Sequence, residues 1–266
     1  MLTLSRVGYR HAGDAAPVLH DIDLTLADGE IVGLVGANRS GKSTLCLVAS
    51  GLAPASIGGE LSGGGLSIGG RAMAGMPVHE LSTRVAIGFQ NPITQLSGMT
   101  GSVFEEVALG PMNLGLRRRE TVERVKEALG ALRIEHLAER APGRLSGGQA
   151  QLVVIASLLA MRPRHLVLDE PTAQLDPLGA RLVGEALRRL ADNGTAQLVA
   201  EHNTDLLADL CRRILVLEAG RIVLDGETGA VLRDERLASL GVDPPSDVRL
   251  ARAIEARGLD PELVSR

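Results

Sequence analysis

The sequence predicts an α/β fold with a mainly parallel core sheet, an antiparallel β portion near its start and a helical portion in its middle. Three observations predict it. Short continuous apolar runs, "EIVGLVG" and "HLVLDEP", have the pattern of strands covered on both faces. Apolar segments of helical length and spacing alternate with them, as in a sheet crossed over by helices. The first stretches, "LTLSRVGYR" and "VLHDIDLTLADGE", alternate apolar and polar positions instead, the mark of half-buried strands.

Taken in order, Leu2 and Leu4, then Ile22, Leu24 and Leu26, recur at every second residue and give two strands. Asp28-Gly29 predicts a hairpin turn into "IVGLVG". A glycine-rich loop and "STLCLVASGL" follow, the latter a helix closed by Gly51. Residues 57–70, "IGGELSGGGLSIGG", predict short antiparallel strands joined by glycine turns, with a tight hairpin at Gly63-Gly64. "RVAIGFQ" is a strand, and the region from Pro92 to Leu116 reads as loop-rich. Val122, Val125, Leu129 and Leu132 lie at helical spacing in "RRRETVERVKEALGALRI". "AQLVVIASLLAM" is nearly all apolar and of helix length, so its helix should be buried. "RLVGEALRRLADNG" is a helix stopped at Asn193-Gly194, and "TAQLVAEH" is a strand. "RILVLEAGRIVLDG" is a strand pair joined at Ala219-Gly220. Beyond Gly226 the chain is polar and helical in outline, broken at "DPP". The expected organisation is one domain over residues 1–226, with a helical subdomain over about 92–160, and a short helical extension over 227–266.

Composition narrows the function. The chain has 266 residues, 45% of them hydrophobic, enough for a sizeable core. Tyr9, Phe89 and Phe104 are its only aromatics, so that core is aliphatic. A net charge of -4 argues against nucleic-acid binding through the whole surface. Cys46 and Cys211 have no metal-ligand spacing, which fits a reducing cytoplasm. The longest apolar run, Leu152 to Met161, falls short of the roughly 20 residues a spanning helix needs. Mean hydropathy of +0.14 fits many buried strands.

"GANRSGKST", from Gly36 to Thr44, matches the phosphate-loop pattern through Gly36, Gly41, Lys42 and Ser43, with an apolar strand before it and a helix after it. Backbone N–H groups of Ala37, Asn38, Arg39, Ser40 and their neighbours at such a helix start cradle phosphate oxygens. Lys42 neutralises the β- and γ-phosphates, and the Ser43 hydroxyl ligates Mg²⁺. "HLVLDE" supplies the second element of a P-loop NTPase: Asp169 at a strand end for Mg²⁺, and Glu170 placed to orient and deprotonate a water.

"LSGG" occurs twice. Ser146, Gly147 and Gly148 of "LSGGQ" would cap the buried helix that follows, and a helix N-terminus is an anion site. "LSGGG" at 61–65 is followed by a strand-like alternation, which assigns it a structural role.

Tyr9, "GANRSGKST", Gln90 in "GFQNP", "LSGGQ", "HLVLDEPTAQLD" and His202 in "AEHN" come in this order over nearly the full chain. On them the sequence resembles the nucleotide-binding subunit of ABC transporters. "FQNPITQL", "EEVALGPMNLGL" and "PPSDVRLARAIEARG" make it most similar to the ATPases of energy-coupling-factor importers, including the cobalt and nickel type. The resemblance implies a P-loop ATPase core with an antiparallel β subdomain and an α-helical subdomain, binding ATP and Mg²⁺. It implies that Tyr9 stacks on adenine, that Gln90 reaches Mg²⁺ and water, and that His202 contacts the γ-phosphate and positions Glu170. It further implies that Ser146, Gly147, Gly148, Gln149 and Asp176 contact ATP held by a second ATPase subunit, identical or paralogous. The other histidines, His11, His20, His79, His136 and His165, read as structural. Arg39, Leu152 and Gln174 depart from the family pattern. Arg39 reads as solvent-facing, with an arginine-finger role as its alternative.

The implied protein is an ATP-hydrolysing subunit of a membrane importer of a metal ion or vitamin-like micronutrient, peripheral on the inner face of the membrane and docked on integral membrane subunits near Gln90. The alternative is a soluble ATPase of the same superfamily acting on nucleic acid or ribosomes. Those carry paired domains or a long coiled coil, and no long heptad run lies between Lys42 and Asp169. A regulatory module without activity is disfavoured by the presence of both Glu170 and His202.

Overall fold

The computed structural model describes residues 1–257. In chain order its elements are β1 (Leu2–Arg10), β2 (Leu19–Leu26), β3 (Ile31–Val35), α1 (Lys42–Ala49), α2 (Leu52–Ala55), β4 (Glu60–Ser62), β5 (Gly65–Ile68), β6 (Arg71–Ala72), α3 (Val78–Leu81) and β7 (Val85–Gly88). Then come α4 (Val103–Asn113), α5 (Arg118–Ala131), α6 (Gly147–Met161), β8 (His165–Asp169), α7 (Pro177–Asp192), β9 (Ala196–Ala200), α8 (Thr204–Leu210), β10 (Arg213–Glu218), β11 (Arg221–Glu227), α9 (Thr228–Leu232) and α10 (Ser246–Glu255).

Six strands form the core sheet in the order β11-β10-β3-β9-β8-β7. All pair in parallel except β11, which turns back on β10 through Ala219-Gly220. Every residue of β3, β8 and β9 is buried, which is why these strands read as unbroken apolar runs. Alternate side chains feed two cores. Ile31 and Val35 join Leu166, Leu168 and Val199 under α4 to α8. Val32 and Leu34 join Val167, Leu198, α1 and the strands β1 and β2. The second sheet, built on β1 and β2 with β4, β5 and β6, is wholly antiparallel.

Three sequence expectations need correction. A turn exists at Ala27–Glu30, where the Glu30 N–H donates to Ala27 O at 3.0 Å, but it is not a hairpin: β2 pairs with β1, and β3 with β9 and β10. A strand apolar on both faces needs parallel neighbours, so the chain crosses between sheets there. Nor is Gly63-Gly64 a hairpin. Ser62 pairs with Gly8 and Gly65 with Ser5, so β4 and β5 are two halves of one run along the same edge of β1. The glycines bend it past a bulge in which Arg6 takes a φ of +46°. A Cβ on Gly63 (φ +87°) would stand 1.8 Å from Arg6 O, so only glycine fits. The true hairpin is six residues later, at Gly69-Gly70 between β5 and β6. Third, Pro92–Leu116 is not mainly loop: it holds a 3₁₀ turn and the eleven-residue α4. Ser102 caps α4 through the Glu105 N–H.

The extension beyond Glu227 packs back on the domain. Thr204 Oγ1 donates to Asp243 O at 2.8 Å, and Asp205 accepts from both the N–H and the hydroxyl of Ser246. Of the helical extension expected over 227–266, the described part contains α9 and α10; residues 258–266 lie outside the described part.

Candidate functional site

The C-terminal ends of β3, β9, β8 and β7 are neighbours in the core sheet, and each delivers one part of the site, where open α/β sheets bind ligands. β3 leads into the phosphate loop. Gly41 caps α1 in a left-handed conformation (φ +106°), which aims the first N–H groups of the helix into the loop. Lys42 is buried and folds inward, its Nζ donating to Gly36 O at 2.8 Å and Ala37 O at 3.1 Å. Burial lowers its pKa, while Glu170 and Asp169 act the other way and favour its charge. Arg39 is exposed and left-handed (φ +67°).

Asp169 ends β8 facing the Ser43 hydroxyl. Burial raises its pKa, with the Ser43 hydrogen bond partly offsetting that. Its Oδ1 is buried and has no protein partner. A hydroxyl beside a half-satisfied buried carboxylate is the donor set of a Mg²⁺ site completed by phosphate and water, and the residues fit that ion. Among the described residues no cluster of three His, Cys, Asp or Glu side chains forms a metal cage of its own.

Glu170, one residue on, takes a left-handed φ of +51°, and its N–H donates to Ala200 O at 2.8 Å. This backbone turn points the carboxylate across the strand ends. Oε2 accepts from Gln90 Nε2 at 2.7 Å, and Oε1 lies 3.2 Å from His202 Nε2. Three residues from three strand ends, far apart in sequence, therefore meet. His202 remains 46% exposed at its side chain.

Leu145–Gln149 lies at the start of α6. Ser146 is the N-cap: its Oγ accepts from the Gln149 N–H, and the Gln149 side chain accepts from the Ser146 N–H, a reciprocal capping box. α6 is buried along most of its length, as its composition requires. Asp176 caps α7 in the same way through the Gly179 N–H. Gln174 lies over the signature segment, its Oε1 2.3 Å from where a Cβ on Gly147 would sit.

Tyr9 is a correction. It is 1% exposed, packed among Leu19, Ile22 and Leu66, and its hydroxyl donates to Gly58 O at 2.7 Å. A ring sealed in the core has no face for a base; β1 is still a paired strand at Tyr9, and both faces of that position are covered. His11, just past the strand end, is half-buried. Its Nε2 lies 3.1 Å from Thr44 Oγ1 at the phosphate loop, and its ring stands edge-on to Tyr9 at 4.9 Å. The signal that marks His11 in the sequence is its place one step beyond the last strand residue. Glu201 is buried directly before His202.

A phosphate loop, a strand-end Asp-Glu pair with Gln90 and His202 closing on it, and a capped Leu-Ser-Gly-Gly helix define an ATP-hydrolysing cassette ATPase. The ABC transporter family model matches residues 19–173, and the chain belongs to the ABC transporter ATPases. A putative ABC transporter ATP-binding protein of Pyrococcus abyssi is 40% identical over 97% of this chain and 92% of its own length. The energy-coupling factor transporter ATP-binding protein EcfA1 of Halalkalibacterium halodurans is 36% identical over 98% of this chain and 91% of its own. The structure of cbiO1 from Clostridium perfringens, part of the ABC transporter complex cbiONQ, superposes with a TM-score of 0.75 at 28% identity, covering 96% of this chain and 94% of that one. No helix among the described residues is long and apolar enough to cross a membrane.

Proposed function

We propose that the chain is the ATP-binding subunit of an energy-coupling-factor type importer, driving uptake of a metal ion or vitamin-like micronutrient. The observation that carries the reading is the meeting of Gln90, Glu170 and His202 beside the phosphate loop. Water held by Glu170 and Gln90 attacks the γ-phosphorus in line; Glu170 accepts its proton as the bond to the β-phosphate oxygen breaks, giving ADP and phosphate. Lys42 and the loop N–H groups take up the phosphate charge, and His202 steers Glu170. Mg²⁺ bound at Ser43 and Asp169, with Gln90 near, supplies further charge neutralisation.

His11, rather than Tyr9, supports the adenine. Ser146, Gly147, Gly148, Gln149 and Asp176 act on the ATP of a second ATPase subunit in a head-to-tail dimer, the capped start of α6 serving as the anion site. The membrane partner docks beside Gln90. Ile93 and Met99, in the segment that follows Gln90, are exposed, and Gln95 clamps that segment by accepting from the Phe89 N–H and donating to Ile87 O. The chain thus works peripherally on the inner membrane face.

The test has two parts. Glu170→Gln should keep ATP binding and lower turnover by orders of magnitude. The intact protein purified from its host should bring integral membrane subunits with it. Co-purification of nucleic acid or ribosomes instead refutes the transport reading.

A further inference from the structure

We infer that Glu201 is a positioning residue for hydrolysis: it closes a hydrogen-bonded ring that holds His202 against Glu170. This rests on the hydrolytic role given above to those two residues.

Glu201 follows β9 directly and is 3% exposed. A buried carboxylate is costly unless donors surround it. Among the described residues they come from two places. Oε1 accepts from the Thr172 N–H at 2.8 Å and the Thr172 hydroxyl at 2.6 Å. Oε2 accepts from the His202 N–H at 3.1 Å. One carboxylate thus binds the segment two residues past Glu170 to the segment that carries His202.

The other links of the ring are already described. The Glu170 N–H is tied to Ala200 O, and the Glu170 carboxylate meets His202 Nε2. Glu170, Thr172, Glu201 and His202 therefore form a closed circuit across the ends of β8 and β9. Glu170 is held in a left-handed conformation, which persists only where its surroundings over-determine it. Glu201 reaches both segments through separate oxygens. Thr172 also begins the turn to the Asp176 cap, since the Leu175 N–H donates to Thr172 O. Loosening the ring would move that loop as well.

Glutamine at 201 makes a one-sided break. Its carbonyl oxygen can keep Thr172, but its amide then faces the backbone N–H of His202. Thr172→Val removes a single hydroxyl donor and is the mild variant if Glu201→Leu folds poorly. A displacement of about 1 Å at a reacting group costs about 100-fold in rate. In the full chain with Mg-ATP, Glu201→Leu should therefore lower kcat about 100-fold and Glu201→Gln about 10-fold, each with KM within about threefold of wild type. Thr172→Val should also lower kcat. Its effect and that of Glu201→Gln should be non-additive in the double variant, because both cut one ring. Unchanged kcat per folded molecule in the Glu201 variants, or fully additive losses, overturns the inference. Glu170→Gln in the same assay separates the two levels. If it still hydrolyses ATP, the hydrolytic reading itself fails. If it is inactive while the Glu201 and Thr172 variants are normal, only the ring's role fails.

Discussion

The sharpest quantitative prediction concerns which residue carries the base. Tyr9 is sealed in the β1–β2 core with its hydroxyl on Gly58 O, whereas His11 stands half-buried beside Thr44. Replacing His11 by Ala removes a ring from the nucleotide side and little from the core. Base–ring stacking is worth about 1–3 kcal/mol, and imidazole, as a small ring, belongs at the low end. About 1 kcal/mol corresponds to about fivefold in Kd. Tyr9→Phe keeps the buried ring and removes one partner of a partly buried hydrogen bond, about 1 kcal/mol of stability, or about 2–4 °C in Tm. The assay is calorimetric titration of Mg-ATP in a Glu170→Gln background, which stops turnover, with Tm measured on the same samples. His11→Ala should weaken binding about fivefold at unchanged Tm, and His11→Tyr should restore or tighten it. Tyr9→Phe should do the reverse, lowering Tm at unchanged Kd. Loss of affinity in Tyr9→Phe at unchanged Tm, with His11→Ala binding normally, refutes the reasoning.

Three further outcomes follow from the same geometry. Ser146→Arg breaks the α6 capping box at the face expected to meet a second subunit's ATP and should abolish hydrolysis; Ser62→Arg, on the antiparallel sheet, should leave it largely intact in the same turnover assay. Arg39→Gly relieves a left-handed φ worth about 1–2 kcal/mol, offset by the roughly 0.5–1 kcal/mol that glycine costs on ordering. Tm should rise slightly and kcat stay within about twofold, whereas an arginine finger would lose about 1000-fold. His165 is buried with Nε2 unpartnered, and burial holds its pKa below the ordinary value. The folded state thus binds its proton less readily than the unfolded chain, and stability is lost as pH falls through about 6.5. Melting curves from pH 7.5 to 5 should show a shallower decline for His165→Gln than for wild type.

The sequence disclosed those parts of the site whose chemistry is local. The phosphate loop is contiguous, and its glycine and lysine spacing is itself the binding geometry. The Ser146 cap was legible because Gln149 stands three residues on and a long apolar run follows. The strand-end Asp169-Glu170 pair was legible because a fully apolar strand can end in charge only at its rim. What sequence concealed depends on pairing. Asp28-Gly29 has hairpin composition whether the next strand joins the same sheet or another. Gly63-Gly64 looks identical as a turn or as a mid-strand bend, and only the pairing of Ser62 with Gly8 and Gly65 with Ser5 decides. Tyr9 and His11 lie two residues apart, and which of them faces the nucleotide is set by where β1 ends. Glu201 is one acidic residue among many until burial and the Thr172 contacts single it out.

Two non-glycine residues of the site region share a left-handed backbone, and the difference between them says where the structure stores constraint. Arg39 is exposed, so its conformation follows from the loop path that Gly36 and Gly41 impose on either side of it. Glu170 is mostly buried and fixed at three points: its N–H on Ala200 O, one carboxylate oxygen on Gln90, and the other beside His202. The strand ends themselves are rigid, paired in register from β7 to β9. Any movement of Glu170 must therefore be made by the loops after those strands. Each of those loops is tied to a different neighbour: Gln90 to the clamped segment of Gln95 and its exposed apolar side chains, and Thr172 to the Asp176 cap. His202 is tied to the α8 start, on which the C-terminal extension docks through Asp243 and Ser246. A carboxylate held by three loops with three different attachments reads all of them at once. Strain at this one residue is therefore a means of making hydrolysis conditional on the arrangement around it, which is a stronger requirement than holding a base near water.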